Sequence, residues 1–484
     1  MDKDAIIKQL TEQNKLLRKQ VSSREKIIEL LQEKQHLLKK ENKLLNEQIA
    51  KLEEKIARLQ KNSSNSSKPP SSDIVKPTKV IRSLGKKRKR GGQHGHRKFS
   101  RQSFEPEQVD KVIEYEFKDR DAEGLEPLDE WFIVQQIELP EKMYRVIEHR
   151  ARKYLDPATG KIHIAPMPDE IRKGGLLSAD ITAAVAFMKG SCHMSYTTIQ
   201  RFFKELMKLD VSRGMLCKAT QKVSNALKPS YDQLAQRLPQ ESQVGVDETG
   251  HHDDGKLHWT WCFDTTDYSL FKIDESRGSN VLEKTLGEDF GGIVCADYWG
   301  AYRKYARLFN VRVQYCMAHL IREIRFLAEH SVKRLSCWAN ELLEWLKKLF
   351  YTLHRRDKMT AKGFIRSTEK IKACFLKRMR CPPDHKLAKK LAKRFKGEAA
   401  ENYFRFLTEP NVKPTNNGTE RQIRGVVIDR RITQGTRGDA GMRWCECIWT
   451  ILTTCKKQQR NVFDFIHDSI IAHWSKKEYP SLIC

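Results

Sequence analysis

Apolar residues recur every three or four positions along the first 59 residues of the chain. From residue 7 onward they follow a heptad with β-branched residues and two Asn at its first position and Leu at its fourth. The first positions are Ile7, Asn14, Val21, Ile28, Gln35, Asn42, Ile49 and Ile56, and the fourth positions are Leu10, Leu17, Arg24, Leu31, Leu38, Leu45, Leu52 and Leu59. This pattern favours a parallel two-stranded coiled coil in which Asn pairs set the register. A solvated single helix would gain nothing from the Leu seam, so residues 1–61 are predicted to be a dimerisation helix.

The pattern then loses its apolar residues. Ser, Asn and Pro dominate residues 62–75, which predicts a flexible linker. Between Asp73 and Glu105 there is no acid, but there are 11 Lys or Arg, including the run Lys86, Lys87, Arg88, Lys89 and Arg90. Such a run is often only solvated, or a nuclear address, but behind a dimer helix it is interpreted as a phosphate-contacting arm. Residues 62–103 are therefore predicted to be a flexible basic linker. Two His in this linker lack the further ligands that a metal site would need.

Short apolar runs alternate with charges from residue 109 to 165, which predicts a small β-rich module over residues 104–175. From Leu176 the period becomes helical. Residues 195–227 predict a helix, a turn at Leu209 to Ser212 and a second helix, which is the layout of a helix-turn-helix over residues 176–238. Arg213, Lys218 and Lys222 on the second helix would then be available for DNA. Most helical hairpins bind nothing, and only the local basicity favours this interpretation.

Alternation with a period of two returns at residue 243. Three strands (VGVDETG, LHWTWCFDT and YSLFKIDES), a helix, the strand GGIVCAD, a second helix, the strand VRVQYC and the helix AHLIREIRFL follow one another. The order βββαβαβα is typical of a mixed sheet covered by helices, the ribonuclease H-like arrangement among others. In such a sheet, Asp247 in the first strand and Asp297 at the end of the fourth could lie side by side.

The composition indicates which class of partner the chain binds. The chain has 484 residues, 39% of them hydrophobic, which is enough for two to four domains. Its formal net charge of +28 indicates that its partner is a polyanion. Nucleic acid is a better candidate than an anionic membrane, because no apolar stretch approaches the roughly 18 residues of a spanning helix and no N-terminal signal pattern is present. All 12 Cys lie at or after Cys192 in no even framework, which suits reduced thiols in the cytosol.

Two adjacent carboxylates repel each other, and a shared proton or a bound cation compensates for the repulsion. Oxygen ligands favour Mg²⁺ or Mn²⁺, and two such ions can stabilise both the attacking and the leaving oxygen of phosphoryl transfer. The segment NNGTERQIRGVVIDRR offers a third carboxylate, Glu420, with Arg421 and Arg424 within one helical turn. An ordinary surface ion pair is the alternative. Beside a metal site, Glu420 would bind the metal and an Arg the DNA phosphate.

Two pairs of possible metal ligands stand elsewhere. Cys316 and His319 form a C-x-x-H at the fifth strand, which is too few ligands for structural zinc. A buried Cys with a hydrogen-bonded His is as good an interpretation as a role beside the active site. His251 and His252 are predicted to lie in a hairpin turn, where polarity alone explains them and metal ligation stays a minor alternative.

Two further pairs have a core interpretation. Cys445 and Cys447 lie on a predicted helix with two Trp and are interpreted as core residues. Tyr298 and Trp299 follow the second Asp, where they either stack on an unpaired base or cap the core.

Several of these motifs resemble the DDE transposases of the bacterial insertion sequence sixty-six family. They are DETG at 247–250, ADYWGAY at 296–302, CMAHLIREI at 316–324 and NNGTERQIRGVVIDRR with the tail to about Phe465. The N-terminal heptads, the SSNSSKPPSSD linker and the GGQHGH segment are similar to that family's N-terminal half. The resemblance implies that Asp247, Asp297 and Glu420 are the metal-binding triad of a ribonuclease H-like core. It also implies that residues 327–408 are a helical insertion between core segments 239–326 and 409–484.

One departure from the family concerns zinc. Members commonly carry a Cys-rich zinc-binding segment in the N-terminal half, and no Cys precedes Cys192 here. A structural zinc is therefore not expected, and basic side chains are assumed to do its DNA-binding work.

The expected fold is a multidomain α+β chain with an N-terminal coiled coil, small β-rich and helix-turn-helix DNA-binding modules, and a ribonuclease H-like core with a helical insertion. The expected function is a DDE-type transposase, a polynucleotidyl transferase with two Mg²⁺ (or Mn²⁺) ions. It would bind double-stranded DNA at terminal inverted repeats and at the target, as a homodimer or larger assembly. Small accessory proteins of the same element, and a cytoplasmic, nucleoid-associated location, are further expectations.

Two alternatives remain from other classes. A DNA-binding architectural protein or a catalytically inactive transposase remnant would bind ends without cutting them, but the acids at all three motif positions argue against decay. A stand-alone ribonuclease H-type nuclease would leave the dimer helix and the basic arm unexplained.

Overall fold

The computed structural model describes residues 3–59, 103–116, 129, 131–409 and 411–483. The helices are α1 (Lys3–Leu59), α2 (Asp169–Gly174), α3 (Ala179–Gly190), α4 (Tyr196–Glu205), α5 (Arg213–Arg237), α6 (Asn280–Leu286), α7 (Gly300–Leu308), α8 (Met317–Ala328), α9 (Lys333–His354), α10 (Ala361–Arg380), α11 (Lys386–Ala392), α12 (Asn417–Thr433), α13 (Asp439–Lys457) and α14 (Val462–Ser475). The strands are β1 (Lys153–Leu155), β2 (Ile162–Ile164), β3 (Gln243–Asp253), β4 (Lys256–Asp264), β5 (Ser269–Asp274), β6 (Ile293–Ala296) and β7 (Arg312–Tyr315). The chain is thus mixed α+β with helix predominating.

The chain divides into two compact units. One comprises residues 1–78, 293–303 and 312–417, and the other comprises residues 79–292, 304–311 and 418–484. The order βββαβαβα predicted between residues 243 and 328 is the order found. Among the described residues, no helix combines the length and the hydrophobicity needed to cross a bilayer.

The first unit contains α1, a single helix of 57 residues. Its heptad side chains are exposed in the lone chain; Ile28 is 53% and Leu31 is 60% exposed. The helix agrees with the heptad pattern, and dimerisation stays a prediction. In the same unit β6 and β7 pair in parallel, with Ala296 opposite Tyr315, and α8 to α11 follow. The region 327–408 is helical, as predicted.

The second unit is built on the antiparallel meander β3–β4–β5, in which Asp247 lies opposite Cys262 and Cys262 lies opposite Phe271. Helix α13 packs on β5, and the long helix α5 packs against α13 and α14. Cys445 and Cys447 on α13 are buried, so their prediction as core residues is confirmed.

The predicted β-rich module is not confirmed over residues 104–175. The described part of this segment contains one two-stranded antiparallel hairpin, β1–β2, with all six residues exposed. The apolar runs at 109–116 and 131–150 adopt no regular strand, and residues such as Phe132 and Val146 are exposed. Alternation alone predicted strands here, but a strand also needs a pairing partner and a surface that covers its apolar face.

The predicted helical hairpin at 195–227 is present as α4 and α5. The hydroxyls of Ser195 and Ser212 accept backbone N–H groups in the first turns of these helices, so each Ser caps the helix that it precedes. Ile199, Phe203 and Leu216 pack in one buried cluster between the helices. Apolar periodicity and Ser caps together account for this hairpin.

Candidate functional site

The DETG motif places two neighbouring acids on opposite faces of β3, because successive strand side chains alternate. Glu248 is held by Arg277, whose Nη2 and Nε lie 2.8 Å and 2.9 Å from its Oε1. The Arg277 guanidinium also lies 4.4 Å from the Trp259 ring centroid. Asp247 is half-buried on the other face, and its Oδ1 accepts the N–H of Glu248 at 3.0 Å. The structure thus separates a structural acid from a candidate ligand.

Helix α12 lies on the face of β3 that carries Asp247. Thr249 shares that face, two residues further on, and its Oγ1 accepts a hydrogen bond from Nη1 of Arg430 at 3.1 Å. At the other end of α12, a methyl group placed on Gly418 would lie 3.4 Å from Oδ2 of Asp264. Asp264 is the β4 residue paired opposite β3 two positions before Asp247. The helix therefore runs along the strand in the same direction.

Glu420 stands in the first turn of α12 and is half-buried. Ile423 and Val426 anchor the helix on its buried side, while Arg421 and Arg424 are exposed. Within the described ranges neither guanidinium forms an ion pair, so both can meet an external anion. Two of the three predicted carboxylates, those on β3 and α12, thus belong to contacting elements of one unit.

Asp297 belongs to the other unit, directly after the buried strand β6. Its half-buried carboxylate accepts the N–H of Trp299 through Oδ1 at 3.0 Å, which shapes the turn into α7. The N–H of Cys316 donates to the carbonyl of Ala296 at 2.8 Å, so the end of β7 lies beside this turn. The carboxylate therefore stands at the carboxyl end of a buried strand, as the sequence predicted.

Tyr298 is half-buried and packs in an aromatic cluster. Its ring centroid lies 5.0 Å from that of Tyr315 and 6.2 Å from that of Tyr403, and the Arg394 guanidinium lies 4.2 Å from it. Of the two interpretations of this position, the aromatic cluster supports the core one. Trp299 is 42% exposed, and its stacking on a base stays a prediction.

Cys316 and His319 lie at the start of α8. The Cys316 thiol is buried and accepts the N–H of Asn416 at 3.2 Å, which holds the segment before α12 against α8. Burial, with a smaller contribution from Arg322, lowers the pKa of His319 to about 4. The imidazole is therefore neutral near pH 7.

His251 corrects the prediction of a hairpin turn at this position. It lies within β3 and is 1% exposed, and the turn follows at residues 254–255. Its Nε2 is 2.9 Å from Oγ1 of Thr436, and Oδ1 of Asp253 accepts from Thr436 Oγ1 at 2.7 Å and from the Gly438 N–H at 2.8 Å. Burial lowers the pKa of His251 to about 4. These contacts fasten the loop after α12 to the end of β3, a role that sequence spacing did not indicate.

Besides Arg421 and Arg424, the predicted DNA-contacting residues fall into three groups. Arg213 and Lys218 are exposed on α5. Lys222, by contrast, is occupied within the fold, because its Nζ donates to the carbonyls of Lys173 and Gly174 at 2.6 Å and 2.9 Å. The prediction that Lys222 is available for DNA is therefore wrong. The run Lys86, Lys87, Arg88, Lys89 and Arg90 lies outside the described residues.

Comparison with known families gives two matches. A sequence model described as "Transposase IS66 family" matches residues 174–444, which include β3, β6 and all of α12. A second, described as a family of unknown function (DUF6444), matches residues 5–102. A search of curated proteins gives no match.

Proposed function

The chain belongs to the IS66 transposase family, and on that premise we propose that it binds the terminal inverted repeats of an insertion sequence and catalyses metal-dependent DNA cleavage and strand transfer. We assign Asp247, Asp297 and Glu420 as the metal ligands. The observation that carries this proposal is the different environment of the two acids in DETG. Glu248 forms an ion pair with Arg277, whereas Asp247 lies on the face of β3 that α12 contacts.

The chemistry of the three side chains fits Mg²⁺ or Mn²⁺. All are carboxylates, hard oxygen donors, and all three residues are half-buried, so each keeps a route to solvent and substrate. Divalent ions held by these three residues would lower the pKa of a water nucleophile and would neutralise charge on the transferred phosphate. Glu248, neutralised by Arg277, does not add a fourth negative charge.

The remaining residues would position DNA. Arg421 and Arg424 stand on the exposed side of the helix that carries Glu420, where a guanidinium can bind a phosphate through two hydrogen bonds. Arg213 and Lys218 would contact the backbone from α5. A dimer through α1 would present two such sets to two element ends.

The test is nicking of a labelled duplex that carries the element's end, with Mg²⁺, with Ca²⁺ and with EDTA. Asp247→Asn, Asp297→Asn and Glu420→Gln are each expected to lower Mg²⁺-dependent nicking on the order of 10³-fold while end binding survives. Asp254→Asn is the matched control, because Asp254 is exposed in the β3–β4 turn and Asn tolerates its positive φ of 46°. If a carboxylate variant nicks as well as the control, the substituted residue is not a metal ligand. Tight end binding with no nicking under any condition would favour an architectural protein or an inactive remnant.

A further inference from the structure

The helical insertion carries a charge excess that the proposed site does not use. Residues 327–408 contain 21 Lys or Arg and 8 Asp or Glu. Its first two long helices, α9 and α10, pack together, and the fully buried Trp338 of α9 donates its indole N–H to the carbonyl of Arg378 on α10 at 3.0 Å. The cations are therefore displayed on a defined helical hairpin.

Helix α10 has a buried face and a cationic face. Its buried residues are Phe364, Thr368, Lys372, Phe375 and Met379. The opposite side carries what we call the α10 stripe, the exposed residues Lys362, Arg366, Lys370, Lys377 and Arg380. At about 100° per residue, these five lie within a sector of about 80° and extend over about 27 Å of helix axis. That length corresponds to about eight base pairs of duplex.

Several other cations of the insertion, unlike those of the stripe, are paired with acids within the fold. Arg394 forms two hydrogen bonds with Glu323, at 2.6 Å and 2.7 Å, and Lys372 lies 2.9 Å from Glu401. Arg378 lies 2.6 Å from Glu341. In the described part of the chain, by contrast, none of the five stripe residues forms an ion pair.

The first three residues of the stripe do not stabilise the helix that bears them, whereas the last two lie in its last turn, where the dipole favours a cation. Lys362, Arg366 and Lys370 are spaced by four residues, so they repel one another. Lys362 also lies in the first turn of α10, where the helix dipole disfavours a cation. An ordinary solvated face would alternate acids and bases, and the one acid at its edge, Glu369, lies 3.9 Å from the buried Lys372.

More positive charge lies beyond the last turn of α10. Lys333 and Arg334, exposed in the first turn of α9, line one surface concavity with Arg378 and Cys381. The N-terminal dipole of α9, a helix of 22 residues, has the same sign as these two side chains. The concavity therefore adds two exposed cations near the C-terminal end of α10.

We propose that the α10 stripe, continued by Lys333 and Arg334, is a second DNA-binding surface that holds the sugar-phosphate backbone of a duplex without reading its sequence. The inference rests on the proposed function, because it takes DNA to be the polyanion. An exposed row of like charges with no base-reading side chains such as Asn or Gln fits phosphate contacts, which fix position and carry no sequence information.

The experiment uses the full chain and measures its affinity for a random-sequence duplex over a range of salt. The test variant carries Lys362→Gln, Arg366→Gln, Lys370→Gln and Lys377→Gln. Four lost phosphate contacts are expected to lower the slope of log affinity against log salt by about 3 to 4, with at least a tenfold loss of affinity near physiological salt. The charge-matched control replaces Lys347, Lys348, Lys456 and Lys477, all exposed elsewhere, by Gln and is expected to keep the wild-type slope.

A test variant whose slope equals that of wild type, or a control that loses as much as the test variant, overturns the proposal. A variant with Lys362→Arg, Lys370→Arg and Lys377→Arg should keep the slope, which attributes a loss in the test variant to the removed charges. Failure of the two proposals can be told apart. Wild type that nicks ends while the stripe variant binds normally refutes only the stripe, and a stripe-dependent slope without any metal-dependent nicking refutes only the cleavage function.

Discussion

The ion pair between Glu248 and Arg277 yields the sharpest prediction, because it distinguishes the two acids of DETG. The Glu248 side chain is 4% exposed, and two guanidinium N–H groups reach its Oε1 at 2.8 Å and 2.9 Å. A hydrogen bond to a charged group contributes about 1.5–3 kcal/mol. Since the Arg277 side chain is 38% exposed, solvent screens part of this. We expect a coupling free energy of about 1–2 kcal/mol between the two residues.

The assay is a double-mutant cycle of Glu248→Gln, Arg277→Gln and both, with the free energy of unfolding measured by urea denaturation. Nicking by the same variants is measured per folded molecule. Glu248→Gln should lower stability and leave nicking within about threefold of wild type. Asp247→Asn should leave stability nearly unchanged and lower nicking on the order of 10³-fold. A coupling below about 0.3 kcal/mol, or a stable Glu248→Gln that cannot nick, would refute the assignment.

Three further predictions concern the second unit. Burial raises the pKa of Glu446 from 4.5 to about 7, so the native chain keeps a proton that the unfolded chain releases, and stability falls by about 3 kcal/mol as pH rises through that interval. Glu446→Gln should remove this loss, and urea midpoints at pH 5 and pH 8 that shift equally in both proteins would contradict it. Gly435→Ala should cost about 2 kcal/mol or more by thermal denaturation, because its φ is +105° and a Cβ would lie 2.1 Å from the His252 carbonyl oxygen; an unchanged melting temperature would show that the loop relaxes freely. Lys222→Met should destabilise the chain by about 1–3 kcal/mol by the loss of two hydrogen bonds to carbonyls, and an altered salt dependence of DNA binding would instead assign Lys222 to DNA.

Local patterns predicted the helices well, and they predicted strands well where a neighbouring element pairs with and covers them. The heptad from Ile7 to Leu59 predicted α1, and the helical period at 195–227 predicted α4 and α5, which the structure confirms. The described runs at 109–116 and 131–150 had the same apolar period as β3 and β4 but formed no strands. Period alone did not distinguish them, because pairing depends on residues distant in sequence.

The sequence by itself determined the helix and strand order of the region around the site, the basic character of the chain, and the resemblance that named three acids. Spacing could not decide which acid of DETG is structural, because Arg277 reaches Glu248 from 29 residues away. Spacing also could not show that Thr436 forms hydrogen bonds with His251 and Asp253, which are 185 and 183 residues distant. It could not show that Lys222 donates hydrogen bonds to carbonyls at the end of α2. Such roles arise when the chain folds back on itself, since the partner that neutralises or buries a side chain is supplied by packing and not by its neighbours in sequence.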